Sequence, residues 1–472
     1  MKKNLFYAFL LIFCFGITQG FAQTELKGKV SDFMTFMPIE NANVYLENTT
    51  IGSITNSDGR FSLRIPQENI QDTLVISSIG YISYRMAVTD YENGTDIYLE
   101  EAIASLDEVV LVADTRPKTG NEIMIRALER LENNIPDTSY IQKGFLRHKE
   151  RNRNEYKWLI EAAITMYDAN QGNSARNDLK INVDEIRKSY DLRDVDSLYT
   201  YTAYIKSRGR NTAGTISRRN VKTADLIQAI RWNDQRINGL ENLFEGKLNL
   251  FRNINSSGAL FGKSMLENHH FELDTILVDN GRKIYKINIE PGSDYVGLNT
   301  PNIYNEGFHP DGVVYIYYDN YAIKKIEYDL LAASDIQKTR SKSLFDTHII
   351  HRLTMNFIDI NDKMYLNYIY YETPKLINVG DRSSEREKTE SAPGFDKGAQ
   401  FYYTIQEIIF TDIINEQEEI AQELQNKSWS ADLFQPKPYN EAFWKNYNVL
   451  LESEEEEKLI QDLTRRASLF KE

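Results

Sequence analysis

Leu26-Lys27-Gly28-Lys29-Val30-Ser31, Ala42-Asn43-Val44-Tyr45-Leu46 and Phe61-Ser62-Leu63-Arg64-Ile65 decide how the front of this chain folds. Val44 and Leu46 fall on one side of a period-two strand, and so do Phe61, Leu63 and Ile65. Asn56-Ser57-Asp58-Gly59 supplies hairpin chemistry between them, because glycine takes positive φ without steric cost. Residues 74–79 read as a strand opened by the apolar run Leu74-Val75-Ile76 and ended by Gly80-Tyr81, and residues 84–88 and 96–99 complete the set. About seven short strands in so little chain predict an antiparallel β-sandwich over residues 26–112, closed by Leu106-Asp107-Glu108-Val109-Val110.

What precedes this stretch sets the compartment. Lys2 and Lys3, the apolar run 5–17 and the small-residue site Gly20-Phe21-Ala22 read as a secretory signal peptide over residues 1–22, so the mature chain is expected to begin near Gln23. Cys14 is the only cysteine and lies inside the apolar run, which leaves the mature chain without disulfides, thiol nucleophile or Cys-ligated metal. The expected location is the periplasm or the outer membrane. A net charge of -14 argues against nucleic acid, whose affinity rests on clustered Lys and Arg. No later run reaches the roughly 18 apolar residues of a membrane helix. With 472 residues and 41% hydrophobic content, two or three domains with ample cores are expected.

The front stretch also carries a resemblance. Lys27-Gly28-Lys29-Val30, Pro38-Ile39 with Ala42-Asn43-Val44, the run from Thr55 to Phe61, Ser78-Ile79-Gly80-Tyr81 and Leu106-Asp107-Glu108-Val109-Val110 resemble the carboxypeptidase-like regulatory domain. That prealbumin-like sandwich precedes the plug in many TonB-dependent outer-membrane receptors. Met37 and Asn41 stand where the family often has glycine. The resemblance implies a non-catalytic folding or docking module at residues 23–112. A receptor barrel needs roughly 22 long strands, for which the chain after Val112 is too short.

Residues 113–142 read as a linker and helix, since Thr119 and Glu122 have capping-box spacing and Ile123, Ala127, Leu128 and Leu131 line one side. Residues 143–435 read as an antiparallel α+β domain. It opens with strand-like runs at 144–148 and 156–168, joined by a polar turn at 152–154. A polar excursion follows at 169–222, with local helix at 183–187, and then one or two helices over 223–251. From Phe271 a β-meander begins, with hairpins at Asp279-Asn280-Gly281, Asp319-Asn320 and 359–363. A mainly β chain is expected, its second part a curved antiparallel sheet with packing helices. Residues 121–448 are similar to an exported family that follows the regulatory domain with a LolA-like half-barrel. That likeness rests on Gly144-Phe145, the stretch 314–321 and Phe443-Trp444-Lys445-Asn446-Tyr447-Asn448. Residues 436–472 read as an aromatic anchor with an acidic helix.

Three features suggest chemistry. His269-His270-Phe271-Glu272 holds the H-x-x-E spacing of zinc carboxypeptidases, with His309, His348 and His351 as sources of a third ligand. Polar residues at a strand entrance are the simpler reading, and no catalytic, metal or cofactor site is assigned. Ser257 to Ser264, S-G-A-L-F-G-K-S, nearly matches a phosphate loop but has no evident strand before it or helix after it, so it reads as a loop. Tyr315, Tyr317, Tyr368 and Tyr370 are aromatics that could face a ligand, although tyrosine is also a good strand former. The expectation is a non-enzymatic envelope protein whose curved sheet binds a lipid, glycan or protein partner. The alternatives are a zinc-dependent envelope hydrolase and an accessory subunit of a TonB-dependent receptor.

Overall fold

The computed structural model describes residues 24–102, 116–151, 156–169, 179–190, 204–205, 222–245, 261–262, 265–297, 307–345, 349–376, 401–435 and 437–464. The signal-peptide reading, the closing run 106–110, the turn at 152–154 and His348 lie outside these residues. The chain divides into two compact units, Met1–Glu101 with Glu441–Ser453, and Ala102–Asn440 with Glu454–Glu472.

The first unit is the expected sandwich. Its strands are β1 (Thr24–Asp32), β2 (Asn43–Leu46), β3 (Gly52–Ile54), β4 (Arg60–Ile65), β5 (Thr73–Ser77), β6 (Tyr84–Ala87) and β7 (Thr95–Leu99). They form sheets of order β4-β1-β7 and β3-β2-β5-β6. Leu26, Val30, Val44, Leu46, Phe61, Leu63, Leu74 and Ile97 from both sheets share one core. The all-antiparallel expectation fails at one pair, because β1 and β7 run parallel: Gly28 sits opposite Thr95 and Asp32 opposite Leu99. Gly94 N–H donates to Lys27 O, which seats the start of β7 beside β1 in the same direction. Gly59 has φ +74° in the predicted turn, and Asn41 takes φ +58° itself, a conformation asparagine tolerates better than most residues.

Residues Glu441–Ser453 belong to this unit through β4. Arg64 N–H donates to Asn448 Oδ1 (2.7 Å), Asn448 Nδ2 donates to Arg64 O (3.3 Å), and Asn56 Nδ2 donates to Glu452 O. An amide side chain thus satisfies both backbone groups of an edge-strand residue. Phe443 stacks on Tyr447 at 4.9 Å, beside buried Trp444.

The second unit is built on one open, curved antiparallel sheet of ten strands. These are β8 (Tyr140–Arg151), β9 (Tyr156–Asp168), β10 (Leu179–Tyr190), β11 (His269–Asp279), β12 (Arg282–Pro291), β13 (Phe308–Tyr317), β14 (Ile323–Ala332), β15 (Ile349–Ile360), β16 (Lys363–Leu376) and β17 (Phe401–Ile414). Their order is β10-β9-β8-β17-β16-β15-β14-β13-β12-β11. The hairpin chemistry is as expected: Asn280 and Gly281 take φ 48° and 83°, and Asn361 and Asp362 take 53° and 62°, the positive pair a type I′ turn requires.

The helix expected at 183–187 is instead the middle of β10. A bulge between Val183 and Glu185 slips the register by one, so Val183 and Ile186 are both buried three residues apart. That spacing imitates a helical stripe. The helices Gly120–Glu129, Thr223–Asn238 and Leu240–Glu245 stand where the periodicity placed them, and Thr119 and Glu122 close a full capping box on the first.

Candidate functional site

Residues directly opposite one another on paired strands share a side of the sheet, so the register separates its two faces. On one face, Ile186, Ala162, Leu146, Ile408, Ile369, Met355, Ile326, Val314, Ile287 and Leu273 make a single apolar row across all ten strands. All are buried except Leu273, which is partly so. Phe410 on this face meets Phe244 of the helix Leu240–Glu245 at 6.1 Å, and Phe434 meets Trp158 edge-on at 5.8 Å.

This apolar face carries a polar island at β8, β17, β16 and β15. His148 faces Gln406, and Glu150 faces Thr404, which in turn faces Thr373. Thr373 Oγ1 lies 2.8 Å from His351 Nδ1. His148, Glu150, Gln406, Thr404 and Thr373 are 0% exposed. His148 Nε2 lies 3.2 Å from Glu150 Oε1, and His148 Nδ1 meets no hydrogen-bond partner among the described residues. Burial pushes the His351 imidazole down to about 3, so that ring is neutral. Sequence reasoning missed this island. Its trace is the run Arg147-His148-Lys149-Glu150-Arg151, five polar residues in succession on a central strand, which makes both faces polar there.

The opposite face is charged. Its row reads Arg187, Glu161, Arg147, Glu407, Tyr370, Thr354, Glu327, Val313, Asn288 and Glu272. Glu161, fully buried, accepts from Arg147 (2.8 Å) and Arg187 (2.5 Å), one guanidinium on each oxygen. Lys149 pairs with Glu407 at 2.8 Å, and Arg352 grips Asp329 with two nitrogens. Such pairing compensates the cost of burying charge and fixes the strands in register.

Tyr315, Tyr317, Tyr368 and Tyr370 all lie on this charged face. Three of their hydroxyls donate to carboxylates: Tyr317 to Asp279 (2.6 Å), Tyr368 to Glu407 (3.3 Å) and Tyr370 to Glu372 (3.0 Å). Burial first, then the neighbouring carboxylates, push the phenols of Tyr315, Tyr317 and Tyr370 well up, so they serve as donors and not as acids.

His269 and Glu272 are not brought together. His269 is buried on the apolar face, whereas Glu272 is exposed on the charged one. His269 Nδ1–H donates to Met265 O (3.0 Å), and its Nε2 accepts from Tyr328 OH (2.8 Å). Burial lowers that imidazole to about 4. Phe261 packs against His269, Phe271 and Tyr328, so the stretch read as a loop contributes an aromatic to a core. His309 stacks on Tyr295, and His351 belongs to the polar island. Among the described residues no three His, Cys, Asp or Glu side chains are grouped to hold a metal.

The sandwich presents a surface of its own. Phe33, Met34, Phe36 and Met37 are 49–75% exposed, and Phe36 meets Tyr98 edge-on. Asp32 Oδ1 accepts from the N–H groups of Met34 and Thr35 and from the Thr35 hydroxyl, which holds this apolar turn in shape. Those bonds, the Thr35 N–H foremost, keep the Asp32 carboxyl below its usual range.

Residues 26–111 match the family model of the CarboxypepD_reg-like domain. The chain is 38% identical over 117 residues to the TonB-dependent receptor SusC of Bacteroides thetaiotaomicron, a match spanning 24% of this chain and 11% of that protein's length. Among solved structures, a LolA superfamily protein from Nitrosomonas europaea is 9% identical with a TM-score of 0.20, covering 64% of this chain and 97% of its own. A putative outer membrane lipoprotein-sorting protein domain from Vibrio parahaemolyticus is 10% identical with a TM-score of 0.21, covering 64% and 98%. At such TM-scores these two likenesses carry no argument.

Proposed function

We propose that the chain is an exported cell-envelope protein, periplasmic and associated with the outer membrane, which binds without catalysing. The CarboxypepD_reg-like sandwich docks, and the ten-stranded sheet takes a lipid whose acyl chain lies along its apolar face. The observation that carries this reading is the apolar row from Ile186 to Leu273, unbroken across ten strands and interrupted beside it by a buried polar island. The row is 0–4% exposed apart from Leu273, so an acyl chain enters by displacing side chains such as Phe244 that now pack on this face, and each methylene it buries there contributes about 0.8 kcal/mol. A glycan would instead ask for an accessible polar face, and the tyrosines and carboxylates that could supply one already bond to one another.

Titration of ligand-stripped protein with a fluorescent acyl probe tests the reading. Saturable uptake is expected, reversed by unlabelled acyl lipid that is recovered chemically unchanged; failure to take up the probe, or cleavage of the lipid, would count against it.

A second reading, docking as an accessory subunit to a TonB-dependent receptor, is supported by the N-terminal likeness to SusC and by the exposed apolar turn at Phe33 to Met37. Crosslinking at Met34 in the intact envelope would capture an outer-membrane receptor if this is right, and no receptor if it is wrong.

A further inference from the structure

We infer that the open edge of β7 docks an extended segment of a partner protein, one that carries Lys or Arg beside apolar side chains and joins the small sheet as a further strand. The inference rests on the reading that the sandwich docks, and it names the partner's chemistry and the way it is held.

β7 ends the sheet β4-β1-β7. The opposite edge is closed, because Asn448 bonds both backbone groups of Arg64 on β4. On β7 the alternation of backbone groups decides what is left over. Phe33 N–H donates to Leu99 O, so Thr95, Ile97 and Leu99 turn their N–H and C=O groups toward β1. Ile82 N–H donates to Glu100 O from the other side, so Asp96 and Tyr98 turn theirs outward with Glu100. The outward groups of Asp96 and Tyr98 meet no backbone partner among the described residues. Such a row is a template for pairing with another strand.

Apolar side chains collect at the same place. Phe33, Met34, Phe36, Met37, Ile82 and Tyr98 are 42–75% exposed, and the bonds from Phe33 and Ile82 bring both to the end of β7. Phe36 meets the Tyr98 ring at 5.7 Å with φ +59°, a strained conformation for a bulky residue. Charge selects the partner. No Lys or Arg occurs from Met86 to Thr115, while Asp90, Glu92, Asp96, Glu100 and Glu101 are all exposed. Lys29, opposite Asp96, is the one cation in the register of β7. A basic segment is attracted to this rim and an acidic one is repelled.

Titration of the full-length protein with a short synthetic peptide that alternates lysine with valine and phenylalanine tests the inference, beside a counterpart with glutamate for lysine. The lysine peptide is expected to bind saturably and about tenfold more tightly than the glutamate peptide. It should also slow hydrogen exchange at the Asp96 and Tyr98 amides by about tenfold or more, as new strand bonds form. Tyr98→Pro removes an outward N–H and no bond to β1, and should abolish binding; Asp96→Lys should shrink the preference for lysine. Equal affinity for the two peptides, or binding that leaves the Asp96 and Tyr98 amides unslowed, would overturn the inference. So would slowing of those amides by raised protein concentration alone, which would make the occupant a second copy. Failure of the lysine peptide to bind would overturn it too, while crosslinking from Met34 still decides separately whether the sandwich docks. Exchange in the wild-type protein gives the answer even if Tyr98→Pro folds poorly.

Discussion

At the scale of single residues, two deeply buried histidines with lowered pKa values contribute to how the second unit responds to acid. His269 and His351 are held down by burial to about 4 and about 3, so as pH falls below their ordinary value of 6.5 the unfolded chain takes up protons that the folded chain refuses. Their contribution to stability is complete above about pH 6.5 and is lost progressively as pH falls toward 4. Urea midpoints measured between about pH 7 and pH 5 should therefore fall, and His269→Phe should flatten part of that slope; a slope identical to wild type would mean the ring is solvated. Tyr328→Phe removes the only O–H that reaches His269 Nε2 in the described structure, and should cost about 1–3 kcal/mol by the same measurement at neutral pH. The H-x-x-E spacing looked like chemistry because a sequence shows interval and not face. Three residues along a regular strand put His269 inside and Glu272 outside.

At the scale of elements, what the sequence made legible was whatever backbone chemistry enforces locally. Asn280-Gly281 specifies positive φ twice and produces its hairpin, and Thr119 with Glu122 produces its capping box, because both effects operate within four residues. The bulge in β10 was not legible, since it is imposed by pairing with Ile164 and Ala163 on a neighbouring strand. The polar island on the apolar face stayed hidden for a similar reason: Glu150, Thr404 and Thr373 meet only when β8, β17 and β16 align, far apart in the chain. Nor did the run 441–453 announce its partner. The Asn448 side chain bonds both backbone groups of Arg64, so Asn448→Ala should destabilise the sandwich by about 1–3 kcal/mol. Hydrogen exchange at the Arg64 amide reads this directly, and protection unchanged from wild type would show that the segment does not clasp β4.

At the scale of the whole molecule, two units of different design share one chain. The first is a CarboxypepD_reg-like sandwich with an exposed apolar turn; the second is a ten-stranded sheet with one apolar face and one knitted by ion pairs. A mainly β composition and a curved sheet follow from hairpin signals, whereas the division of labour between faces follows from register alone. Native mass spectrometry of the protein isolated from its own envelope tests the central claim most directly. The account predicts a non-covalent adduct with the mass of an acyl-bearing molecule, released unaltered when the protein is denatured. Bare polypeptide under conditions that keep the fold intact, together with no uptake when acyl lipids are added back, would contradict it.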